Sequence, residues 1–179
     1  MSKIDLEMLP KEDLIKMIKM FSRNSLVLDG CWFQAAEDKY GQEAAIDLDT
    51  KAWARYASIE ARRILKTFNI VEKGTSALAK ALNYQIWVHA QNIEWDIPEV
   101  TENRVVLNVT DCGIQRARIR SGRGEFPCKG VGIALFEGFV KAFDPEFSLN
   151  CLVCPPDEHP DDLWCSWEFR LEKPLKSPS

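Results

Sequence analysis

The chain has 179 residues, of which 46% are hydrophobic and 28% charged, and its formal net charge is −4 at pH 7. This length suits one domain with a real hydrophobic core. The acidic balance argues against a nucleic-acid-binding protein, because such binding depends mainly on cations that neutralise phosphates. No stretch approaches the ~20 apolar residues that cross a bilayer, and the N-terminal segment has no apolar region typical of a secretory signal. We therefore expect a cytoplasmic protein without membrane insertion, whose six cysteines are free thiols or metal ligands rather than disulfides.

The first half of the sequence has the periodicity of apolar residues, at every third and fourth position, that indicates helices. This periodicity predicts one long helix that ends at Gly41. A second helix is predicted over residues 47–70, with Asp49 or Thr50 as its N-cap. A short third helix follows over residues 76–83.

Aromatic and β-branched residues dominate the second half and indicate strands. The predicted strands are residues 84–97, 104–111, 147–153 and 163–171, and the predicted helices between them are residues 112–122 and 131–143. This order predicts an α+β fold, with N-terminal helices packed on one face of an antiparallel sheet of about four strands. We expect a single domain over residues 3–173 and a flexible tail over residues 174–179.

Residues 151–165, "CLVCPPDEHPDDLWC", have the spacing Cys-x2-Cys-x4-His-x5-Cys, one residue away from that of a zinc knuckle. A knuckle needs four ligands that converge from one small loop. The three prolines of this stretch oppose such convergence, and its four carboxylates oppose nucleic-acid binding. We therefore predict a β-hairpin, with His159 in an exposed loop and no knuckle metal.

Strand alternation predicts where the side chains of this hairpin point. Cys165 and Trp167 share the more apolar face of the last strand and should face the core. Cys151 on the partner strand could lie close to Cys165 beneath the sheet. Cys154 is expected to point the other way or to lie in the turn.

Cys112 is the thiol with the clearest chemical rationale. It follows Asp111 at a strand-to-helix junction, and a helix N-terminus stabilises a thiolate. We predict Cys112 as a nucleophile, with Asp111 or Glu60 moving protons. Glu60 lies on the apolar stripe of the second helix, where burial could raise its pKa. The competing interpretation of Glu60 is a structural ion pair with Arg62 or Arg63.

Three cysteines should converge at one pocket between the sheet and the helices. Cys112 lies at the sheet edge, where ligand sites gather, and Cys165 faces inward by alternation. Cys128 precedes a helix after only a short excursion of the chain. We predict that Cys128, Cys165 and Trp167 bind a small-molecule ligand there.

A metal site is the alternative use of the same thiols. Four thiolates suit zinc or an iron–sulfur cluster, and the predicted ligands are Cys112, Cys128, Cys151 and Cys165. The competing interpretation is that these are free thiols that behave as small buried hydrophobes.

The segments "LDGCWFQAAEDKYG", "VTDCGIQRARIRSGRGEFPCKGVG" and "CLVCPPDEHPDDLWCSWEF" resemble an uncharacterised family of small cytosolic proteins from anaerobes, over nearly the whole chain. That family is similar to the L-2-amino-thiazoline-4-carboxylic acid hydrolases, whose cysteine pattern falls at Cys112, Cys128 and Cys165. In this sequence Trp167 stands before Phe169 in the last strand, a departure from the hydrolase pattern. The final hairpin also resembles the 4-vinyl reductase domain, which implies a ligand held between helices and sheet.

Three functions are consistent with these observations. The first is a small-molecule enzyme with a thiol nucleophile, which would be hydrolase-like. The second is a non-catalytic ligand-binding or sensor domain that encloses an apolar molecule among its tryptophans. The third is a protein whose cysteines bind zinc or an iron–sulfur cluster. A homodimer is compatible with each of them.

Overall fold

The computed structural model describes residues 4–172. Within them, a short 3-10 turn (Leu6–Met8) precedes α1 (Lys11–Tyr40), α2 (Gln42–Thr67), α3 (Thr75–Leu82), β1 (Ile93–Val100), β2 (Arg104–Cys112), α4 (Gly113–Arg120), α5 (Lys129–Phe143), β3 (Phe147–Val153) and β4 (Cys165–Leu171). The outermost residues of the predicted domain, Lys3 and Lys173, and the predicted tail over 174–179 lie outside the described residues.

The four strands form one antiparallel sheet in the order β1-β2-β4-β3. One face of the sheet is apolar and carries Leu107, Trp167 and Phe169, each at most 2% exposed. Phe136 of α5 packs against Trp167 and Phe169, so helices cover this face. Burial of an aromatic side chain of this size stabilises a fold by roughly 2–3 kcal/mol. The predicted α+β architecture is therefore confirmed.

Helices α2 and α5 pack closely against each other. A Cβ atom at Gly138 of α5 would lie 2.9 Å from the carbonyl oxygen of Ala54 on α2, so the approach of the two helices requires glycine there. Helix α1 packs on α2 through Leu26, Phe33 and other residues on one side. The opposite side of α1 leaves apolar side chains exposed, and the predicted homodimer stays a prediction.

The second helix starts earlier than the sequence predicts. Helix α2 begins at Gln42. Gly41, with a φ of +86°, is the single residue between α1 and α2. The N-cap prediction for Asp49 or Thr50 was therefore wrong. Asp49 instead lies in the interior of α2 and is 3% exposed.

The first predicted strand is only half correct, because β1 begins at Ile93 and residues 84–92 form successive turns. Trp87, Val88 and Ala90 of these turns are buried in the core. Their strand-like composition reflects burial rather than pleating, since aromatic and β-branched residues favour any well-packed apolar environment.

No helix within residues 4–172 is long and apolar enough to cross a membrane.

The predicted hairpin is confirmed, since β3 and β4 pair antiparallel around the proline-containing loop. His159 lies in an exposed loop as predicted, since its neighbours Glu158 and Pro160 are exposed, but the histidine itself is largely covered. Its side chain is only 13% exposed, and the ring packs against Trp164 with 4.9 Å between the ring centroids. The imidazole Nε2 lies 3.6 Å from a carboxylate oxygen of Glu125.

Candidate functional site

A cavity of about 170 Å³ lies between the helices and the end of the sheet where β2 and β4 meet α4 and α5. Its wall is mostly apolar and includes Trp53, Trp87 and Trp167. Four of its lining residues are cysteines: Cys112, Cys128, Cys154 and Cys165. A neighbouring pocket of about 260 Å³ shares Leu26, Asp29, Asp49, Ile114 and Phe126 with the cavity.

An irregularity in β2 turns Cys112 towards the cavity. Val109 pairs with Trp95, whereas Asp111 pairs with Glu94, so Thr110 is an extra residue between the two pairs. One extra residue inverts the alternation of the side chains that follow it. Cys112 therefore faces the helices, and Asp111 faces away from them.

A second irregularity places Cys154 inside the protein. Cys151 pairs with Trp167, but Val153 pairs with Ser166, so Leu152 is the extra residue. The chain that follows is re-aimed towards the helices, and Cys154 is fully buried. Cys154 opens the turn after β3, as one of the two predicted placements has it, since its carbonyl accepts from the N–H of Asp157 at 3.0 Å. The alternative, that its side chain points away from the core, was wrong, because simple alternation cannot anticipate a bulge.

Cys128 and Cys154 form the closest pair of thiols, with 3.5 Å between the two sulfur atoms. Cys128 is the N-cap of α5. Gln115 of α4 holds the preceding loop, because its side-chain amide accepts from the N–H of Phe126 and donates to the carbonyl of Phe126, both at 2.8 Å. This pair of bonds fixes the orientation of the amide. The Gln115 Nε2 also lies 3.4 Å from the sulfur of Cys128 and donates to it.

These contacts favour the ionised form of the Cys128 thiol. Donation by the thiol of Cys154, followed by donation from Gln115, lowers the pKa of Cys128 despite burial. The pKa of Cys154 is raised by the same contact with Cys128 and by its contact with Cys165. Cys154 is therefore the protonated partner of the pair, and Cys128 is the candidate thiolate.

Cys112 does not have the chemical character that the sequence predicts for it. Burial raises the pKa of its thiol to about 11, although the N–H groups of Gln115 and Ile114 at the start of α4 act in the opposite direction. Cys112 is therefore a neutral thiol at physiological pH. The helix N-terminus is present as predicted, but its effect is smaller than the cost of removing a charge from water.

The structure brings Cys112, Cys128, Cys165 and Trp167 to one cavity, and it leaves out Cys151, which does not line it. Within residues 4–172, no group of three or more Cys, His, Asp or Glu side chains is arranged to hold a metal ion. The predicted zinc or iron–sulfur set of four cysteines therefore gains no support from this geometry.

Glu60 and Asp111, the predicted proton carriers, do not line the cavity. Glu60 is buried, which raises its pKa, and its carboxylate accepts hydrogen bonds from Tyr56 at 3.1 Å and from the N–H of Ile86 at 2.6 Å. Glu60 thus anchors the turns that follow α3. It forms no ion pair with Arg62 or Arg63, which the competing interpretation expected. Asp111 forms an ion pair with Arg116 on the outside of the fold.

Two other carboxylates, Asp29 of α1 and Asp49 of α2, face the cavity instead. Burial and the neighbouring Asp29 raise the pKa of Asp49 to about 7, while a hydrogen bond from Trp53 lowers it. Burial also raises the pKa of Asp29, against a second hydrogen bond from the Trp53 indole. The Asp49 carboxyl is therefore partly protonated at neutral pH, as a general acid or base requires.

Sequence reasoning missed Asp29, Asp49, Gln115 and Cys154. A signal for the two carboxylates exists, because each replaces an apolar residue on the inward face of its helix. Asp29 stands between Leu26 and Phe33, at spacings of three and four, and Asp49 stands four residues before Trp53. Gln115 and Cys154 had no comparable signal.

No curated protein and no solved structure is similar enough to this chain to match it. One family model does match, over residues 7–171, and it describes a family of unknown function. This match includes every element of the sheet and all the residues that line the cavity. The chain belongs to this family, DUF6125.

Proposed function

We propose that this protein binds a small, largely apolar molecule in the cavity and attacks an electrophilic carbon of it with the thiolate of Cys128, in a hydrolase-like reaction. The observation that carries the proposal is the placement of Cys128. Its sulfur accepts a hydrogen bond from Gln115 and lies 3.5 Å from the sulfur of Cys154, and it shares one cavity with the protonatable Asp49.

The chemistry of such a site follows the usual course of thiol catalysis. The Cys128 thiolate forms a C–S bond to a carbonyl or amidine carbon, and the C–N bond to the leaving group breaks as the Asp49 carboxyl gives its proton to the nitrogen. Water then adds to the carbon of the resulting thioester or thioimidate and loses a proton to the Asp49 carboxylate. Cleavage of the C–S bond returns the thiolate.

The resemblance to the aminothiazoline-carboxylate hydrolases agrees with this proposal, because Cys128 occupies one of the three cysteine positions of that pattern. The role expected of Cys112 passes to Cys128, since the Cys112 thiol stays protonated. Cys112, Cys165 and Trp167 form part of the binding wall. Cytoplasmic placement, where thiols stay reduced, remains part of the proposal.

A non-catalytic ligand-binding or sensor domain of the 4-vinyl reductase type is the second candidate. The observation that favours it is the lining of three tryptophans around a space of about 170 Å³. That volume is close to the ~150 Å³ in which an engineered apolar cavity binds benzene. In this case the protein would bind its ligand without forming a bond to it.

The experiment that tests the enzyme proposal is site-resolved alkylation of the native protein. The protein is reduced, freed of reductant and treated with iodoacetamide at pH 7, and each cysteine is quantified by mass spectrometry. We expect Cys128 to react at least about 10-fold faster than Cys112. Cys128→Ser should remove the fast phase, and Cys112→Ser should preserve it. A fast phase at Cys112, or none inside the cavity, would contradict the proposal.

A further inference from the structure

The acidic end of the cavity indicates which kind of molecule it binds. Asp29 and Asp49 line both the cavity and the neighbouring pocket. Asp49 is 3% exposed, and its Oδ1 atom has no hydrogen-bond partner within residues 4–172. A buried carboxylate oxygen without a donor is costly, above all when the group is charged. A ligand that donates to this oxygen would recover that cost.

The charge around this end of the cavity is not balanced by the protein itself. Arg118 is the one positively charged residue among the described residues that line the cavity and the neighbouring pocket. Both terminal nitrogens of Arg118 are already bound to the carboxylate of Glu37, at 3.0 and 2.6 Å. The Trp53 indole N–H lowers the pKa of both carboxyls, but Asp49 Oδ1 still has no hydrogen-bond partner among the described residues.

The walls next to the carboxylates are aromatic. Trp53 lies beside Asp49 in the cavity wall and packs edge-to-face on Tyr56, with 5.6 Å between the ring centroids. Trp87 and Trp167 line the deeper, apolar part of the same space. Aromatic faces attract organic cations, and the apolar depth suits a hydrocarbon body of about one ring.

We propose that the ligand is a small protonated amine with an apolar or aromatic body, whose ammonium group binds the Asp29–Asp49 pair and whose body extends towards Cys128. This inference rests on the proposed function and names its substrate class. The ammonium N–H groups donate to the unpartnered oxygen of Asp49 and compensate the paired negative charge. A neutral alcohol of the same shape can donate one hydrogen bond but carries no positive charge, and an anionic analogue is repelled by the pair.

The test compares three probes of similar shape by titration calorimetry at pH 8: 2-phenylethylamine, 2-phenylethanol and 3-phenylpropionate. We expect the amine to bind at least about 10-fold more tightly than the alcohol, as one charge-assisted hydrogen bond implies, and the carboxylate to bind weakest. In Asp49→Asn the preference for the amine should fall by at least about 10-fold, while the affinity of the alcohol changes little.

Asp47→Asn is the matched control. Asp47 lies two residues away on α2, is exposed and pairs with Lys51 at 2.6 Å, so its replacement should preserve the amine preference. Equal binding of amine and alcohol, an unchanged preference in Asp49→Asn, or no amine binding at millimolar concentration would each overturn the inference.

Alkylation of Cys128 by iodoacetamide, a neutral reagent, is measured on the same samples. If Cys128 reacts fast but the amine shows no preference, only the ligand class is wrong; if the amine binds but Cys128 is inert, only the thiol chemistry is wrong.

Discussion

The sulfur atoms of Cys128 and Cys154 lie 3.5 Å apart, although 26 residues separate them in the chain. The N-terminus of α5 supplies one thiol, and the chain just after β3 supplies the other. Lys129 ties the two segments together, since its N–H donates to the carbonyl of Pro155 at 3.0 Å. The pair is therefore built into the fold.

Removal of the Cys154 thiol should make Cys128 less acidic. In Cys154→Ala the sulfur of Cys128 loses its principal hydrogen-bond donor, so its pKa should rise and its alkylation at pH 7 should slow several-fold. The fold should survive at a cost of about 1 kcal/mol, typical of a small core change. Cys31→Ala, at an exposed position on α1, is the control and should leave the rate at Cys128 unchanged. An equal rate in both variants would show that Cys154 has no influence on Cys128.

Gln115 should prove important for stability as well as for reactivity. Gln115→Leu leaves the N–H and the carbonyl of Phe126 without their partner, which should lower the free energy of unfolding by about 1–3 kcal/mol. Urea denaturation measures this change. Gln91 is exposed, so Gln91→Leu should change stability by less than about 0.5 kcal/mol. Equal effects of the two variants would contradict the role assigned to Gln115.

The buried carboxyl of Asp49 should make stability depend on pH in a particular direction. Its pKa is raised from 3.8 to about 7 by folding, so its favourable contribution is complete below pH ~3.8 and is lost as the pH rises through about 7. Asp49→Asn removes this loss. The variant should therefore gain stability relative to the native protein between pH 4 and pH 8, by at most about 4 kcal/mol.

Thermal unfolding of both proteins across this pH range measures the difference, and Asp47→Asn should show no such trend. Titrating groups far from Asp49 are common to all three proteins and cancel in the comparison, whereas the neighbouring Asp29 is coupled to Asp49 and belongs to the difference. A stability difference that is flat with pH, or that shrinks as the pH rises, would mean that Asp49 is ionised at little cost in the folded state.

The floor of the cavity offers a steric test. A Cβ atom at Gly132 would lie 2.5 Å from the ring of Trp167, so Gly132→Ala should displace that ring and cost about 1–3 kcal/mol, as overpacking does. Gly130 lies two residues earlier in α5 with no atom within 4 Å of such a Cβ. Gly130→Ala should instead stabilise the helix by up to about 1 kcal/mol. Chemical denaturation of the two variants gives the comparison, and a neutral Gly132→Ala would exclude this close contact.

The α+β architecture and the inward face of β4 could be predicted from the sequence. Both depend on the spacing of apolar residues, which follows directly from which side of a helix or strand is buried. Cys165 and Trp167 are found on the predicted face of the sheet. The ionisation of the thiols could not be predicted in this way. It depends on contacts between residues distant in the chain, such as Gln115 with Cys128, and burial of Cys112 exceeds the effect of the helix that follows it.

The two strand irregularities limited the prediction further. Pairing alone determines that Thr110 and Leu152 are extra residues, and no local feature of "NVTDC" or "NCLVC" specifies it. Each irregularity changes which of two neighbouring residues faces the helices. The side chain of Cys154 was for this reason assigned to the wrong side. Asp111 was given a role because it precedes Cys112, but the two neighbours face opposite ways.

The pH dependence of alkylation at Cys128 tests the central claim most directly. The rate of iodoacetamide modification of this one residue is followed by mass spectrometry from pH 5 to pH 10, beside glutathione as a reference thiol. We expect the midpoint for Cys128 to lie below that of glutathione, because Cys154 and Gln115 stabilise its thiolate. A midpoint at or above that of glutathione would contradict the assignment of Cys128 as the nucleophile.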